Sequence, residues 1–184
     1  MPSSGDDIEI LIRGCQRNDR KAQEGLYRNF YVVMTALCMR YAKDKSDAVE
    51  ILNDGFLKVF KNIGQYDAER SSLYTWIRKI MINTSLDFLR RQQRRPETDE
   101  LPSEEEKMGV ENDALQKMDG EEILAMIRQL SDATRYVFNL YAIDGFSHRE
   151  IAEMMQISEG TSRWHLSEAR RQLKTIIHLK ENHP

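Results

Sequence analysis

The sequence predicts an all-α protein made of two small helical domains joined by a flexible acidic linker, with a helix-turn-helix in the second domain. Apolar residues recur at helical spacing, and no alternating run of polar and apolar residues is long enough to indicate a sheet. The segment PETDELPSEEEKMG is rich in Pro, Glu and Ser, a composition typical of linkers. We therefore expect domains at residues 1–95 and 120–184, with the linker at residues 96–119.

Length and composition are those of a soluble helical protein. The chain has 184 residues, of which 40% are hydrophobic and 31% charged, enough for two small cores. Cys15 and Cys38 lie far apart without a CxxC partner, so we expect buried, reduced thiols and neither zinc nor a disulfide. The N-terminus is acidic, and no apolar run approaches the roughly 20 residues of a membrane span. We expect a cytoplasmic protein without membrane attachment.

Charge is distributed unevenly along the chain, although the formal net charge is only −3. The segment from Arg70 to Arg95 holds seven basic residues and one acid, Asp87. The segment from Pro96 to Glu122 holds 11 acids and two lysines. Asymmetry of this kind leaves basic surface that can meet nucleic acid in a chain that is acidic as a whole.

Four helices are predicted in the first domain. They lie near Asp7–Cys15, from about Asp19 to Tyr41, from an N-cap at Ser46 to about Asn62, and from about Leu73 to Gln93. The third helix has an apolar stripe expected to face the core, formed by Val49, Leu52, Phe56, Val59, Phe60 and Ile63. Its opposite side carries Glu50, Asn53, Asp54, Leu57 and Lys61.

That opposite side is either a protein-docking patch or a plain solvated face. An exposed Leu57 alone needs no explanation, but a leucine flanked by carboxylates and an amide favours docking. Gly55 in mid-helix costs about 1 kcal/mol relative to alanine, and we expect it to permit the close approach of another helix.

The loop GQYDAERSS and the fourth helix combine aromatic and basic residues. The fourth helix is expected to bury Ile77, Met81, Thr84 and Phe88. Its outward stripe is expected to carry Lys79, Asn83, Leu86 and Arg90, with Tyr66, Tyr74 and Trp76 in or beside the loop. Rings that stack on bases beside cations that follow phosphates are what single-stranded DNA binding uses. The alternative is that the aromatics anchor the core and that the basic run is a solvated helix end.

The most specific local pattern is the helix-turn-helix from Ser147 to Lys174. Ser147 and Glu150 form a capping box, and Ser158 is expected to cap the second helix after a short turn. In such a motif the second helix enters the major groove of DNA.

The second helix of this motif has a core side and an outward side. The core side is expected to hold Leu166, Ala169, Leu173 and Ile177. The outward side is expected to hold Arg163, Trp164, Ser167, Glu168, Arg171 and Lys174, with Arg170 at the margin. Arginine side chains can bind phosphate or guanine, and the Trp164 indole can pack on a thymine methyl group or a sugar. A solvated helical hairpin is the alternative. Glu168 either accepts from a cytosine amino group or pairs with a neighbouring arginine.

These segments, in this order, resemble the two-domain sigma factors of the extracytoplasmic-function group over nearly the whole chain. DAVEILNDGFLKVF is similar to the family's core-polymerase-binding helix, and YTWIRKIMINTSLDFLRR to its promoter-melting helix. The segment from Leu130 to Lys174 is similar to its C-terminal domain. Four residues depart from the family pattern: Asn53 for Gln, Gly55 for a β-branched residue, Ile82 for a basic one and Trp164 for a small polar one.

The resemblance implies three sets of site residues. Docking on core polymerase is expected from Glu50, Asn53, Asp54, Leu57 and Lys61. Reading and opening of the minus-ten element is expected from Gln65, Tyr66, Asp67, Arg70, Ser71, Ser72, Trp76, Lys79, Asn83 and Arg90. Reading of the minus-thirty-five element is expected from Ser158, Gly160, Thr161, Arg163, Trp164, Ser167, Glu168, Arg170, Arg171 and Lys174.

The partners implied are core RNA polymerase, through the clamp helices of its largest subunit and its flap, promoter DNA and an anti-sigma factor. The free chain is expected to be a monomer, with its acidic linker threading near the polymerase active-site channel or the RNA exit path in the complex. No cofactor, metal or catalytic activity is expected, because no nucleophile–base set, metal cluster or phosphate loop is visible. The four histidines are not grouped, and surface or DNA roles are expected for His148 and His165. The alternative function is a stand-alone helix-turn-helix regulator that binds duplex DNA.

Overall fold

The computed structural model describes residues 5–94 and 122–181, which contain eight α-helices and no strand. The all-α prediction is therefore confirmed for this part of the chain. Two compact units are present, one up to Arg90 and one from Arg91 onward. The predicted linker at residues 96–119 lies outside the described residues. None of the described helices is long and apolar enough to span a bilayer.

The first unit consists of four helices. They are α1 (Gly5–Gln16), α2 (Arg20–Tyr41), α3 (Lys45–Asn62) and α4 (Leu73–Arg94), and a 3₁₀ turn at Ile63–Gln65 follows α3. Helix α2 packs against both α1 and α3. The core that they enclose includes Leu26, Met34, Leu37, Cys38, Ile51, Leu52, Phe56, Val59, Ile77 and Met81.

Aspartates cap two of these helices. The Asp19 carboxylate accepts from the backbone N–H of Lys21 at 2.7 Å, which fixes the start of α2. Asp44 caps α3 by accepting from the N–H of Asp47 at 2.9 Å. The prediction that Ser46 caps α3 is therefore wrong, because Asp44, in an extended conformation, is the cap and Ser46 already lies in the first turn.

Both cysteines are buried in this unit and free of disulfides, as predicted. Burial raises the pKa of the Cys38 thiol to about 12, so the reactive thiolate form is disfavoured at neutral pH. These thiols act as small apolar groups in the core.

Gly55 is buried where α3 meets α4. A Cβ built on Gly55 would collide with the sulfur of Met81, a residue of α4 that is itself fully buried. The absence of a side chain at Gly55 therefore leaves room for the Met81 side chain of α4.

The second unit holds the helix-turn-helix. Its elements are α5 (residues 122–128), α6 (Asp132–Phe138), a π-helical turn (Asn139–Ile143), α7 (His148–Met155) and α8 (Glu159–Glu181). Helix α8 packs across α6 and α7. The core of this unit contains Ile127, Leu130, Tyr136, Val137, Leu140, Ile151, Leu166 and Ala169.

Local hydrogen bonds define both helices of the motif, as predicted. Ser147 and Glu150 form the capping box, with the Ser147 N–H donating to the Glu150 carboxylate at 2.8 Å. Gln156 ends α7 in the left-handed conformation, with φ at 57°. The Ser158 hydroxyl then accepts from the N–H of Thr161 at 2.9 Å and starts α8.

Candidate docking and nucleic-acid surfaces

The first candidate surface is one side of α3. Glu50, Asn53, Leu57 and Lys61 are exposed there and Asp54 is half-buried; we call these five residues the docking face. The Leu57 side chain is 67% exposed in the middle of this face. A largely exposed leucine between acidic neighbours offers an apolar anchor with a polar rim, the composition of a protein interface.

Val49 lies beside the docking face, and its predicted place in the core is wrong. Its side chain is 43% exposed, because Ala48 fills the core position in that turn. Val49 precedes Asn53 by four residues and Leu57 by eight, so the three share one side of the helix. That spacing is the signal in the sequence that Val49 enlarges the apolar part of this surface.

The loop between α3 and α4 is organised by its own polar groups. The Tyr66 hydroxyl donates to the carbonyl of Ser71 at 3.2 Å, and the Tyr66 ring contacts Trp76 with 5.6 Å between centroids. Asp67 accepts from the N–H of Glu69 at 2.9 Å and pairs with the exposed Arg70 at 3.3 Å. These contacts give the loop a defined shape in the free chain.

Two of the predicted loop residues also have structural roles. The Ser72 hydroxyl accepts from the N–H of Thr75 at 3.2 Å and so caps α4. Trp76 is half-buried against Tyr66, which gives the ring both a packing role and an accessible edge. Gln65 is exposed at the end of the 3₁₀ turn, and its amide donates to the Asn62 side chain at 3.4 Å.

The outward stripe of α4 differs from its prediction at one position. Lys79 and Asn83 are exposed as expected, but Leu86 is buried and its predicted outward position is wrong. At about 100° per residue the outward side continues from Asn83 to Asp87, four residues on, and not to Leu86. The predicted inward residues, Ile77, Met81, Thr84 and Phe88, are all buried.

Asp87 modifies the charge of this stripe. Its carboxylate binds Lys58 of α3 at 2.9 Å and Arg90 at 3.0 Å, so part of the positive charge of Arg90 is balanced within the protein. Ile82, which departs from the family's basic residue, is fully buried. The exposed polar part of the stripe therefore centres on Lys79 and Asn83, directly after the loop.

The third surface is the outward side of α8, which we call the recognition face. Trp164 is 60% exposed there. The other exposed members are Ser158, Gly160, Thr161, Arg163, Ser167, Arg170, Arg171 and Lys174, and Glu168 is half-buried among them. Leu166 and Ala169 are buried on the other side, as predicted. Ile177 is exposed, so its predicted core position is wrong. The 23-residue α8 is much longer than the 8-residue α7 on which it packs, and so it extends beyond that helix.

Glu168 is paired with an arginine, one of its two predicted alternatives. Its carboxylate accepts from Arg171 at 2.5 and 2.9 Å and from the Gln172 amide at 2.7 Å. These hydrogen bonds, that of Arg171 above all, lower the pKa of the Glu168 carboxyl to about 2. Arg163 is similarly paired with Glu159 at 2.8 Å, one turn earlier. The Arg163–Glu159 pair is exposed, where a single ion pair is worth little, so the Arg163 guanidinium can exchange partners readily.

Two histidines join the helices of this unit, a role that sequence reasoning missed. His165 Nδ1 lies 3.0 Å from the Thr134 hydroxyl on α6, and His148 Nδ1 lies 2.9 Å from the Ser162 hydroxyl on α8. Burial lowers the pKa of both imidazoles, so both are neutral at pH 7. The partners of His165 and His148 are 31 and 14 residues away in sequence, beyond the reach of any local pattern.

Comparisons with known proteins place both units in one family. The family model "Sigma-70 region 2" matches residues 26–95, and "Sigma-70, region 4" matches residues 120–173. The ECF RNA polymerase sigma-E factor of Haemophilus influenzae is 26% identical over 180 residues, covering 92% of this chain and 94% of that protein. The RNA polymerase sigma-H factor of Pseudomonas aeruginosa is 26% identical over 171 residues, covering 87% and 88%.

The chain belongs to the sigma-70 family, in its extracytoplasmic-function group. It is therefore a sigma factor that acts in transcription initiation, and its family is not catalytic. The region 2 match includes the docking face, the loop and the exposed part of α4. The region 4 match includes the helix-turn-helix and the recognition face as far as residue 173, so that Lys174 lies just beyond it.

Solved structures share the fold of this sigma factor. The sigma factor RpoE in complex with the anti-sigma factor NepR from Bartonella quintana matches with a TM-score of 0.52 and 16% identity, over 84% of this chain and 98% of that one. CnrH in complex with the cytosolic domain of CnrY matches with a TM-score of 0.50 and 16% identity, over 94% and 98%.

Proposed function

We propose that this sigma factor docks on core RNA polymerase through α3, opens the minus-ten element with the loop and α4, and reads the minus-thirty-five element with α8. The observation that carries the proposal is the recognition face. A tryptophan and four cations are exposed on the second helix of a helix-turn-helix, and all but Lys174 lie within the region 4 match. In this motif such side chains meet base edges and phosphates in the major groove.

The docking face supports the proposed docking on the polymerase. Leu57 would enter an apolar site on the clamp helices of the largest subunit, while Glu50, Asn53, Asp54 and Lys61 would pair with polar groups around it. Burial of a central apolar anchor inside a polar rim is how small interfaces concentrate their affinity. The flap is the proposed contact of the second unit.

Opening of the minus-ten element would use the loop from Gln65 to Ser72 and the exposed side of α4. The internally hydrogen-bonded loop and the Tyr66–Trp76 pair offer a preformed platform on which an unstacked base can lie. Lys79 and Asn83 are exposed on α4, which follows the loop. They would bind the DNA backbone and the base edge, while Arg70 and Arg90 would supply further positive charge.

A variant with both Lys79→Ala and Asn83→Ala is expected to initiate about tenfold less often on a fully paired promoter, the loss of one to two base-level contacts. On a promoter whose minus-ten element is already mismatched, activity is expected to return to within about threefold of wild type, because the strand-opening energy is no longer needed. Run-off transcription on the two templates checks this, with the exposed Lys45→Ala as control. An equal loss on both templates would contradict a role in opening.

Arg163→Ala is expected to weaken binding to the minus-thirty-five element by about 1–3 kcal/mol if the guanidinium contacts a base bidentately. The competing Glu159 pair is exposed and releases the side chain at little cost. Holoenzyme affinity for promoters with single changes in this element is the measurement. A loss of equal size on every sequence would make Arg163 a phosphate contact and would contradict base reading.

We also propose regulation by an anti-sigma factor, on the basis of the similarity to the two solved structures. Both of the solved relatives described above are complexes, one of them with a named anti-sigma factor. A partner that covers the docking face or the recognition face would block the proposed contacts directly.

The acidic segment 96–119 is proposed to thread through a basic nucleic-acid channel of the polymerase, where its negative charge is complementary.

A further inference from the structure

Trp164 occupies the middle of the recognition face. The fully buried Ser162 and Ala169 lie two and five residues away, which places them about 140–160° from Trp164 around the helix axis. The indole is therefore opposite the core, and core packing does not explain a tryptophan here. The indole is 60% exposed and so is available to a binding partner, as tryptophans at interfaces are.

The indole ring contacts a neighbouring side chain that is itself anchored to α6. The Trp164 ring meets the edge of His165 at 4.9 Å between centroids with 72° between the planes. His165 is anchored by the Thr134 hydroxyl at 3.0 Å, and Thr134 in turn accepts from Ser131 at 3.0 Å. The Thr134 oxygen accepts the Ser131 proton, so the Thr134 hydroxyl proton can be donated to Nδ1 of the neutral His165 imidazole. The indole thus packs against a side chain whose position is set by α6, a contact that favours some orientations of the ring over others.

Gly160 lies on the same side of α8 as Trp164, one turn closer to the N-terminus. A Cβ at Gly160 would meet only the Ser158 hydroxyl at 3.6 Å, an ordinary contact, and its φ is not in the left-handed region. The fold itself would therefore accept alanine. The missing side chain leaves space beside the indole through which a base edge can approach the helix.

We propose that Trp164 selects a thymine in the minus-thirty-five element by packing the indole on its 5-methyl group; this rests on the proposed function of α8. The methyl group is the apolar feature that thymine presents in the major groove. An indole has one N–H donor and no acceptor, so it cannot accept from the amino groups of cytosine or adenine. The arginines on either side cannot sense the methyl group, because they bind phosphate or guanine.

The test uses the full chain with core RNA polymerase and an upstream element selected by this holoenzyme from random sequence. Each thymidine of the element is replaced, one at a time, by deoxyuridine, which lacks only the methyl group. We expect one position where the replacement lowers affinity about three- to fivefold, the effect of one buried methyl group. Trp164→Ala is expected to abolish this difference and Trp164→Phe to keep most of it.

Control variants separate this inference from the proposed function. Arg163→Ala is expected to weaken the thymidine and deoxyuridine probes equally, and Gly160→Ala is expected to reduce binding at the same thymine without lowering the melting temperature. If no uracil replacement changes affinity, or if Trp164→Ala weakens both probes equally, thymine reading is overturned while α8 remains the upstream reader. If neither Arg163→Ala nor Trp164→Ala changes promoter affinity, the proposed function of α8 fails as well.

Discussion

Replacing Leu57 with arginine is expected to lower the affinity of the chain for core RNA polymerase by about 30-fold or more. A hot-spot side chain at the centre of an interface is worth about 2 kcal/mol or more, and a charge in its place adds a desolvation cost. Because Leu57 is 67% exposed in the free chain, the substitution leaves the core of the first unit intact. Competition with a labelled wild-type chain for core polymerase measures the loss.

Ile10 on α1 provides the matched control. It is 64% exposed, so Ile10→Arg makes the same kind of apolar-to-charged change elsewhere on the same unit. We expect core affinity within about twofold for this variant. Asp54→Arg, a charge reversal within the docking face, should behave like Leu57→Arg. Equal affinities for the Leu57 and Ile10 variants would show that α3 does not carry the docking surface.

Gly55→Val is expected to lower the free energy of unfolding of the first unit by about 1–3 kcal/mol, the usual cost of overpacking a core. The new side chain would have to displace the Met81 side chain of α4, which is fully buried. The chain has two tryptophans, so in a Trp164→Phe background the fluorescence of Trp76 reports this unit alone. Urea unfolding followed by that signal gives the change.

Gly64→Val is the control for the effect of replacing a glycine with valine where no buried side chain is displaced. No atom lies within 4 Å of a Cβ built at Gly64, so we expect a change of about 0.5 kcal/mol or less. If Gly55→Val is as stable as Gly64→Val, the packing of Met81 against Gly55 does not constrain the fold.

Features set by neighbouring residues in the chain could be predicted from the sequence. The capping box of Ser147 and Glu150 and the cap at Ser158 involve residues three apart, so their geometry follows directly from helix structure. The buried residues Ile77, Met81, Thr84 and Phe88 of α4 follow equally from helical periodicity. Local spacing is therefore sufficient to predict the helix-turn-helix and, with it, the recognition face.

Positions at the edge of a helical stripe could not be predicted as well. Val49 and Leu86 lie where a small error in helix phase moves a side chain between core and surface, and neighbours such as Ala48 and Asp87 decide the outcome. Ser46 does not have its predicted role because the chain offers two capping side chains in close succession and Asp44 comes first. For Val49 and Leu86 the choice depends on packing between helices, and for the cap it depends on which of two nearby side chains reaches the helix end.

Contacts between distant segments could not be predicted at all. The hydrogen bond between His165 and Thr134 joins α8 to α6 across 31 residues, and it positions the side chain beside Trp164. Likewise, Asp87 stands in the sequence as one acid within a basic segment, whereas in the fold it links α4 to Lys58 of α3. Such pairs arise from the fold and have no signature in local spacing.

The most direct test of the account is transcription reconstituted from purified core RNA polymerase and this chain on templates from its own genome. We predict promoter-dependent transcripts with defined start sites when the chain is added and none with core polymerase alone. The Leu57→Arg chain should fail in the same assay. If the wild-type chain binds core polymerase yet directs no initiation from any of these templates, the account of its function is contradicted.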